Sequence, residues 1–177
     1  MAKISLKEWY LQKRHMHSEP IDYIQRTFEQ YARLGYPPYQ WVNNPGEPPF
    51  VPLGKALRDA RVGLVASGGI YRLGQVAFHY KDDCSFRLIP TTVKLNELRV
   101  THFAYDLTDA RADPNVVFPL ETLRDLAELS RIGELSPHAY TFMGGIYSSR
   151  KVKEILAPAI ADRLVKDRVD VVILVPV

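Results

Sequence analysis

Over the second half of the chain, apolar and polar positions alternate between a helical period and continuous apolar runs. From residue 151, Val152, Ile155, Leu156, Ala159, Ile160 and Leu164 recur at i, i+3 and i+4, with Lys153, Asp162, Lys166 and Asp167 between them. That spacing predicts an amphipathic helix. Pro158 lies inside it, so the helix kinks or restarts there, with Pro158 in the first turn of the second half. Residues 171–175 are an unbroken aliphatic run. Without alternation, such a run predicts a strand buried on both faces, in the middle of a parallel sheet.

Earlier segments have the same character. Residues 61–66 read as a buried strand ending in Ser67-Gly68-Gly69, and 85–90 as a short strand or strap. Residues 98–106 read as a second strand, centred on 99–104 and running into Tyr105 and Asp106. Asp113-Pro114-Asn115 predicts a turn. Pro119 opens a helix with Leu120, Leu123, Leu126 and Ala127 inward and Gly133 near its end. Residues 138–142 read as a third strand, followed by Met143-Gly144-Gly145. Strands separated by crossover helices predict an α/β fold: an open, mainly parallel sheet, Rossmann-like or flavodoxin-like, over residues 53–177.

Residues 1–52 read differently. Ser5-Leu6-Lys7-Glu8 has the form of a capping box before a short helix to about Arg14. Ser18-Glu19-Pro20 opens a second helix with Ile21, Ile24, Phe28 and Tyr31 on its apolar face and Gly35 at its stop. Residues 36–52 carry Pro37, Pro38, Pro45, Pro48, Pro49 and Pro52, which exclude a helix or an inner strand. Tyr39, Trp41 and Phe50 make this segment a strap, expected to pack over the core or onto a second subunit.

Composition narrows the function classes. The chain has 177 residues, 46% hydrophobic and 24% charged, with a net charge of +3, which suits one globular α/β unit with an extension. No basic cluster argues for nucleic acid, Lys13-Arg14-His15 being short and better read as a solvated face. No apolar run approaches the roughly 20 residues needed to span a bilayer. The N-terminus lacks a signal-peptide core, which predicts a cytoplasmic protein. Cys84 is the only cysteine, so intramolecular disulfides and multi-cysteine zinc sites are excluded.

In open α/β sheets, ligands bind outside the carboxyl ends of the strands. Here that edge collects Ser67, Gly68 and Gly69, Tyr105 and Asp106, and Met143, Gly144 and Gly145, with residues 176 and 177 beside them. The glycines let backbone approach a ligand and let amides face a carboxylate. The pattern is not GxGxxG, so it is no nucleotide fingerprint. On a strand, His102 and Asp106 share a face and Tyr105 points the other way. His102 then reads either as a proton donor or anion clamp, or as a buried histidine bonded to backbone. His79, His138, His102 and Asp106 lack the compact spacing of a metal site. Neighbouring Asp82 and Asp83 disfavour a Cys84 thiolate, and Ser67 lacks a nucleophile elbow.

Several phrases together resemble one family. They are RVGLVASGG at 61–69, SFRLIP at 85–90, THFAYD at 101–106, DPN at 113–115 with Pro119-Leu120, IGEL at 132–135, YTFMG at 140–144, and the closing residues 169–177. The chain from about Trp41 onward resembles the selenoprotein B component of the glycine, sarcosine, betaine and D-proline reductases, most of all the D-proline branch. The resemblance implies an oxidoreductase subunit that cleaves a C–N or other C–X bond in a small amine or amino-acid-like substrate. It implies His102 and Asp106 as catalytic residues that orient or protonate the leaving group. Ser67, Gly68, Gly69, Tyr105, Met143, Gly144 and Gly145 would be substrate-binding residues. It implies a thiol reductant, and a homo-oligomer or a partner reductase subunit. It also implies a selenocysteine, or a cysteine in its place, following Val177. Three readings stand side by side: a frame stopped at a selenocysteine codon, a chain represented in part, or a short relative serving as a non-catalytic assembly or small-ligand-binding subunit. The 177-residue chain alone is expected to be inactive. Reading the DNA after the Val177 codon separates the alternatives.

Overall fold

A computed structural model describes residues 22–40 and 42–177. The expected capping boxes at 5–8 and 18–20, the first helix and Trp41 lie outside these residues. The chain divides into two compact units, Met1–Glu47 and Pro48–Val177.

In the first unit, α1 (Tyr23–Arg33) is capped by Asp22, whose carboxylate accepts the Gln25 amide at 2.9 Å. The helix thus opens at Asp22, two residues after Pro20. It stops as expected at Gly35 (φ +71°), where the Tyr36 amide reaches back to Tyr31 O. Ile24 and Phe28, on the expected apolar face, are exposed. Residues 36–40 and 42–52 form neither helix nor strand, as six prolines require.

The second unit is built on β1 (Arg61–Ala66), whose last five residues are all buried. β7 (Val171–Val175) runs parallel to it, in register from Val62↔Val171 to Ala66↔Val175. On its other side β1 pairs in parallel with β5 (Glu134–Leu135) at its start and β6 (His138–Thr141) at its end. β3 (Arg87–Pro90) closes that side, antiparallel to β6. Side chains alternate between the two sheet faces. Val62, Leu64, Ala66 and Ala139 pack with α3 (Leu120–Glu128) through Leu120 and Leu123. Val65 and Tyr140 pack with Leu156 and Ile160 of the last helix. The fold is therefore α/β, with a mostly parallel sheet between two helical layers.

Three expectations need correction. First, the strand buried on both faces in mid-sheet is β1, and β7 pairs only with β1 among the described strands. Val171, Ile173 and Val175 are half-buried on one face and Val172 on the other, while Leu174 is 70% exposed. A continuous apolar run therefore marks a strand of the sheet without telling how far each face is covered or whether both edges are paired. Second, residues 99–104 are no strand of the main sheet. Only β4 (Leu98–Val100) is extended, antiparallel to β2 (Ile70–Arg72) in a separate ribbon. The Thr101 amide donates to Gly69 O at 3.0 Å, and the chain then turns away. Third, Ile155 is exposed rather than inward. The last helix has one α turn (Ser149–Lys151), a π turn (Val152–Leu156) and α4 (Ala157–Lys166), with Pro158 in the first turn of α4 as expected. The wider turn inserts a residue and shifts the apolar stripe past Ile155.

Gly63 and Gly133 are sites of close approach. A methyl on Gly63 would lie 2.9 Å from Leu164 Cδ2 and 3.0 Å from Val169 Cγ1. A methyl on Gly133 would lie 2.6 Å from Ala60 O. Gly133 is therefore needed where the chain enters β5, and α3 stops earlier, at Ser130 (φ +55°). Among the described residues no helix is long and apolar enough to cross a membrane.

Candidate functional site at the carboxyl edge of the sheet

The parallel strands β1, β6 and β7 deliver their carboxyl ends to one edge, and backbone bonds stitch those ends together. The Ser67 amide donates to Val175 O at 3.0 Å and the Phe142 amide to Ala66 O at 3.0 Å. The Gly69 amide donates to Phe142 O and the Gly144 amide to Ser67 O, both at 2.9 Å. The Gly145 amide points to Met143 Sδ at 3.2 Å. The expectation that free glycine amides face a carboxylate therefore fails for Gly69 and Gly144, whose N–H groups hold the strand ends together. Gly69 is needed for another reason. It has φ +72°, and a methyl there would overlap the Thr101 carbonyl oxygen. Gly144 packs on Ser67, and a methyl on Gly145 would lie 2.5 Å from the Phe103 ring. Ser67 Oγ accepts the Val177 amide at 2.9 Å, which ties the chain beyond β7 to the end of β1.

His102 is buried in the turn after the ribbon, with its Cβ 3.5 Å from where a methyl on Gly69 would sit. Its Nδ1 accepts the Ala104 amide at 3.0 Å. An accepting Nδ1 carries no proton, so the ring is the Nε2–H tautomer. Burial holds its pKa below the usual histidine value, which keeps it neutral near pH 7. Nε2 is buried and has no partner among the described residues. A buried donor without an acceptor is costly and is rare in folded proteins. The backbone-bonded reading thus accounts for one ring nitrogen and leaves the other for a ligand or water. The tautomer also bears on chemistry: a neutral imidazole donates a hydrogen bond but is a poor proton source.

Tyr105 lies beside it, with ring centroids 4.7 Å apart. The Tyr105 hydroxyl donates to Gly68 O at 2.8 Å, and burial raises its pKa. Asp106 does not share a strand face with His102, because no strand exists there. It is exposed and accepts from the Thr108 hydroxyl at 2.7 Å and the Thr108 amide at 2.9 Å. Those bonds hold its carboxyl below the usual range and fix the entry to α2 (Thr108–Ala112). Met143 is buried and bridges to Gly68. The geometry thus joins Ser67, Gly68, Gly69, His102, Tyr105, Met143, Gly144 and Gly145 through direct contacts, and leaves Asp106 at the loop exit.

Two participants are absent from the sequence reading. Thr141, wholly buried at the end of β6, has no partner for its Oγ1 among the described residues. A threonine at the last inward position of a strand was the available signal. Phe103 stacks on His102 and covers Gly145, and its ring read only as one more apolar strand residue. Cys84 packs against the Val65–Tyr140 cluster. Among the described residues no three His, Cys, Asp or Glu side chains converge as a metal site.

An open α/β sheet whose strand ends meet around glycines and a buried, half-satisfied histidine defines an α/β protein with a candidate ligand site at its strand edge. Comparison with known proteins gives the family. The sequence model of glycine/sarcosine/betaine reductase selenoprotein B matches residues 48–177, and the chain belongs to that family. It is 36% identical over 127 residues to the D-proline reductase subunit gamma of Acetoanaerobium sticklandii, covering 72% of this chain and 52% of that one. It is 31% identical over 144 residues to the glycine reductase complex component B subunit gamma of Symbiobacterium thermophilum, covering 78% of this chain and 32% of that one. The chain spans about half the length of the first relative and a third of the second. No solved structure matches it.

Proposed function

We propose that this chain forms the substrate-holding part of a reductase component that cleaves a C–N bond, or another polarised C–X bond, in a small amine or amino-acid-like molecule. The observation that carries this reading is the buried, neutral and unpartnered Nε2–H of His102, in a chain of this family. In this reading His102 donates to the substrate and stabilises charge that develops on its leaving nitrogen or oxygen. Tyr105 and Gly68 hold the turn behind it, and Ser67, Gly69, Met143, Gly144 and Gly145 shape the wall. Asp106 is a positioning residue that fixes the loop through Thr108. A selenocysteine or cysteine outside the described residues would supply the attacking atom, and a thiol reductant the electrons. A neutral donor at the strand edge fits that chemistry.

Partners belong to the same reading. Phe50 is 91% and Val51 86% exposed, which favours docking onto a second copy or another reductase subunit over packing on the chain's own core.

Calorimetric titration of the chain with D-proline, glycine and betaine tests the proposal. One of them binds, and His102→Ala weakens that binding about ten- to a hundred-fold, the loss of one buried hydrogen bond to a charged group. Absence of binding, or equal binding by both proteins, removes His102 from the site.

A further inference from the structure

We propose that the cleft between the β2–β4 ribbon and α2 binds a small carboxylate, gripped by Arg99 and Arg111. The cleft has a volume of about 470 Å³, and its walls include Tyr71, Arg99, Thr101, Ala110, Arg111 and Pro114. That is an ordinary size for a small-molecule site. Some arginines of this unit are neutralised, Arg61 by Glu134, Arg72 by Glu97 and Arg150 by Glu154, and Arg87 and Arg124 donate to backbone carbonyls. Neither Arg99 nor Arg111 forms an ion pair among the described residues. Two uncompensated guanidinium groups therefore line one concave surface.

Arg99 is also oriented. Its Nη1 donates to Asn96 O at 2.9 Å and Leu98 O at 2.6 Å. These bonds account for one corner of the guanidinium and leave Nε and Nη2 without acceptors among the described residues. Nε–H and Nη2–H form the fork that takes both oxygens of a carboxylate in parallel bonds. A fork already held in place loses less side-chain freedom on binding. Arg111 brings the second charge from α2, and its side chain makes no hydrogen bond among the described residues. Asp106 feels Arg111 only as a minor influence, after its two bonds to Thr108.

The walls also say what does not bind. They hold no carboxylate to receive an ammonium group, so the ligand is an acid and needs no amine. No glycine-rich loop lines the cleft, and such loops are a common means of cradling phosphate. This proposal does not rest on the reading of the strand edge, since neither arginine belongs to that site.

The test is NMR titration of the 177-residue chain with succinate and, separately, inorganic phosphate, following the arginine Nε–H signals. Succinate shifts the Arg99 and Arg111 signals saturably and binds at least about ten-fold more tightly than phosphate. Arg111→Gln and Arg99→Lys each weaken succinate binding about ten-fold or more, the lysine keeping the charge and losing the fork. Arg111→Gln disturbs no bond of the fold, so it remains informative if the Arg99 variant fails to fold. Unmoved signals, unchanged affinity in Arg111→Gln, or a preference for phosphate overturns the proposal.

Discussion

Gly69 and Gly68 are neighbours in sequence with different demands on their backbone. Gly69 combines φ +72° with a carbonyl oxygen where a side chain would go, whereas a methyl on Gly68 meets side-chain carbons alone, of Val117 at 3.0 Å and Val177 at 3.4 Å. Gly69→Ala is expected to cost about 2–4 kcal/mol in urea unfolding and Gly68→Ala clearly less. Equal losses would contradict the geometry. His102 gives a pH prediction with a definite sign. Its folded pKa lies below the ordinary 6.5 because of burial, so the unfolded chain binds more protons in acid. Its stabilising share is complete above about pH 6.5 and is lost as pH falls toward the folded value. Stability should drop as pH falls below about 7, and His102→Gln should flatten that slope. An unchanged slope would show that His102 is not buried neutral. The candidate residues were legible by type, because histidine, tyrosine and glycines at a strand end form a recognisable set. Their states were not. The tautomer of His102 is set by the Ala104 amide, and the role of Asp106 by Thr108, both products of a turn that reads as extended chain.

Elements were legible where local pattern and tertiary context agree. β1, β3, β6, α3 and the restart at Pro158 follow from apolar runs, period and proline. The order of strands did not follow, because β1 and β7 are similarly apolar and only pairing distinguishes centre from edge. Residues 99–104 carry Val100, Thr101 and Phe103, which favour strand locally; the bond from Thr101 to Gly69 continues the β2–β4 ribbon by one pair, and the turn in which the Ala104 amide bonds His102 Nδ1 then ends it. The join between β6 and α4 is polar. The Tyr140 hydroxyl donates to Asp167 Oδ2 at 2.6 Å, with His138 Nδ1 3.3 Å from the same oxygen. Burial, and then this bond, push the Tyr140 pKa well up. Tyr140→Phe keeps the ring and removes the donor, so it should cost about 1.5–3 kcal/mol. A denaturation midpoint within error of wild type would show that Asp167 is satisfied without Tyr140.

At the scale of the molecule, the mainly parallel sheet brings three strand ends to one edge, and the family match covers the unit that contains it. Phe50, nine-tenths exposed in that unit, marks where a partner is expected. Phe50→Ser should leave stability within about 0.5 kcal/mol and weaken self-association or subunit binding about ten-fold, as sedimentation would measure. A wild-type chain that stays monomeric and binds no reductase subunit would contradict this. The central claim is that His102 offers a neutral Nε2–H to a small substrate at the strand edge, and imidazole nitrogen NMR reads that group directly. Near neutral pH the account predicts an unprotonated Nδ1, a protonated Nε2, and an Nε2 signal that moves saturably with D-proline, glycine or betaine. An imidazolium spectrum, or a signal that none of the three moves, would contradict it.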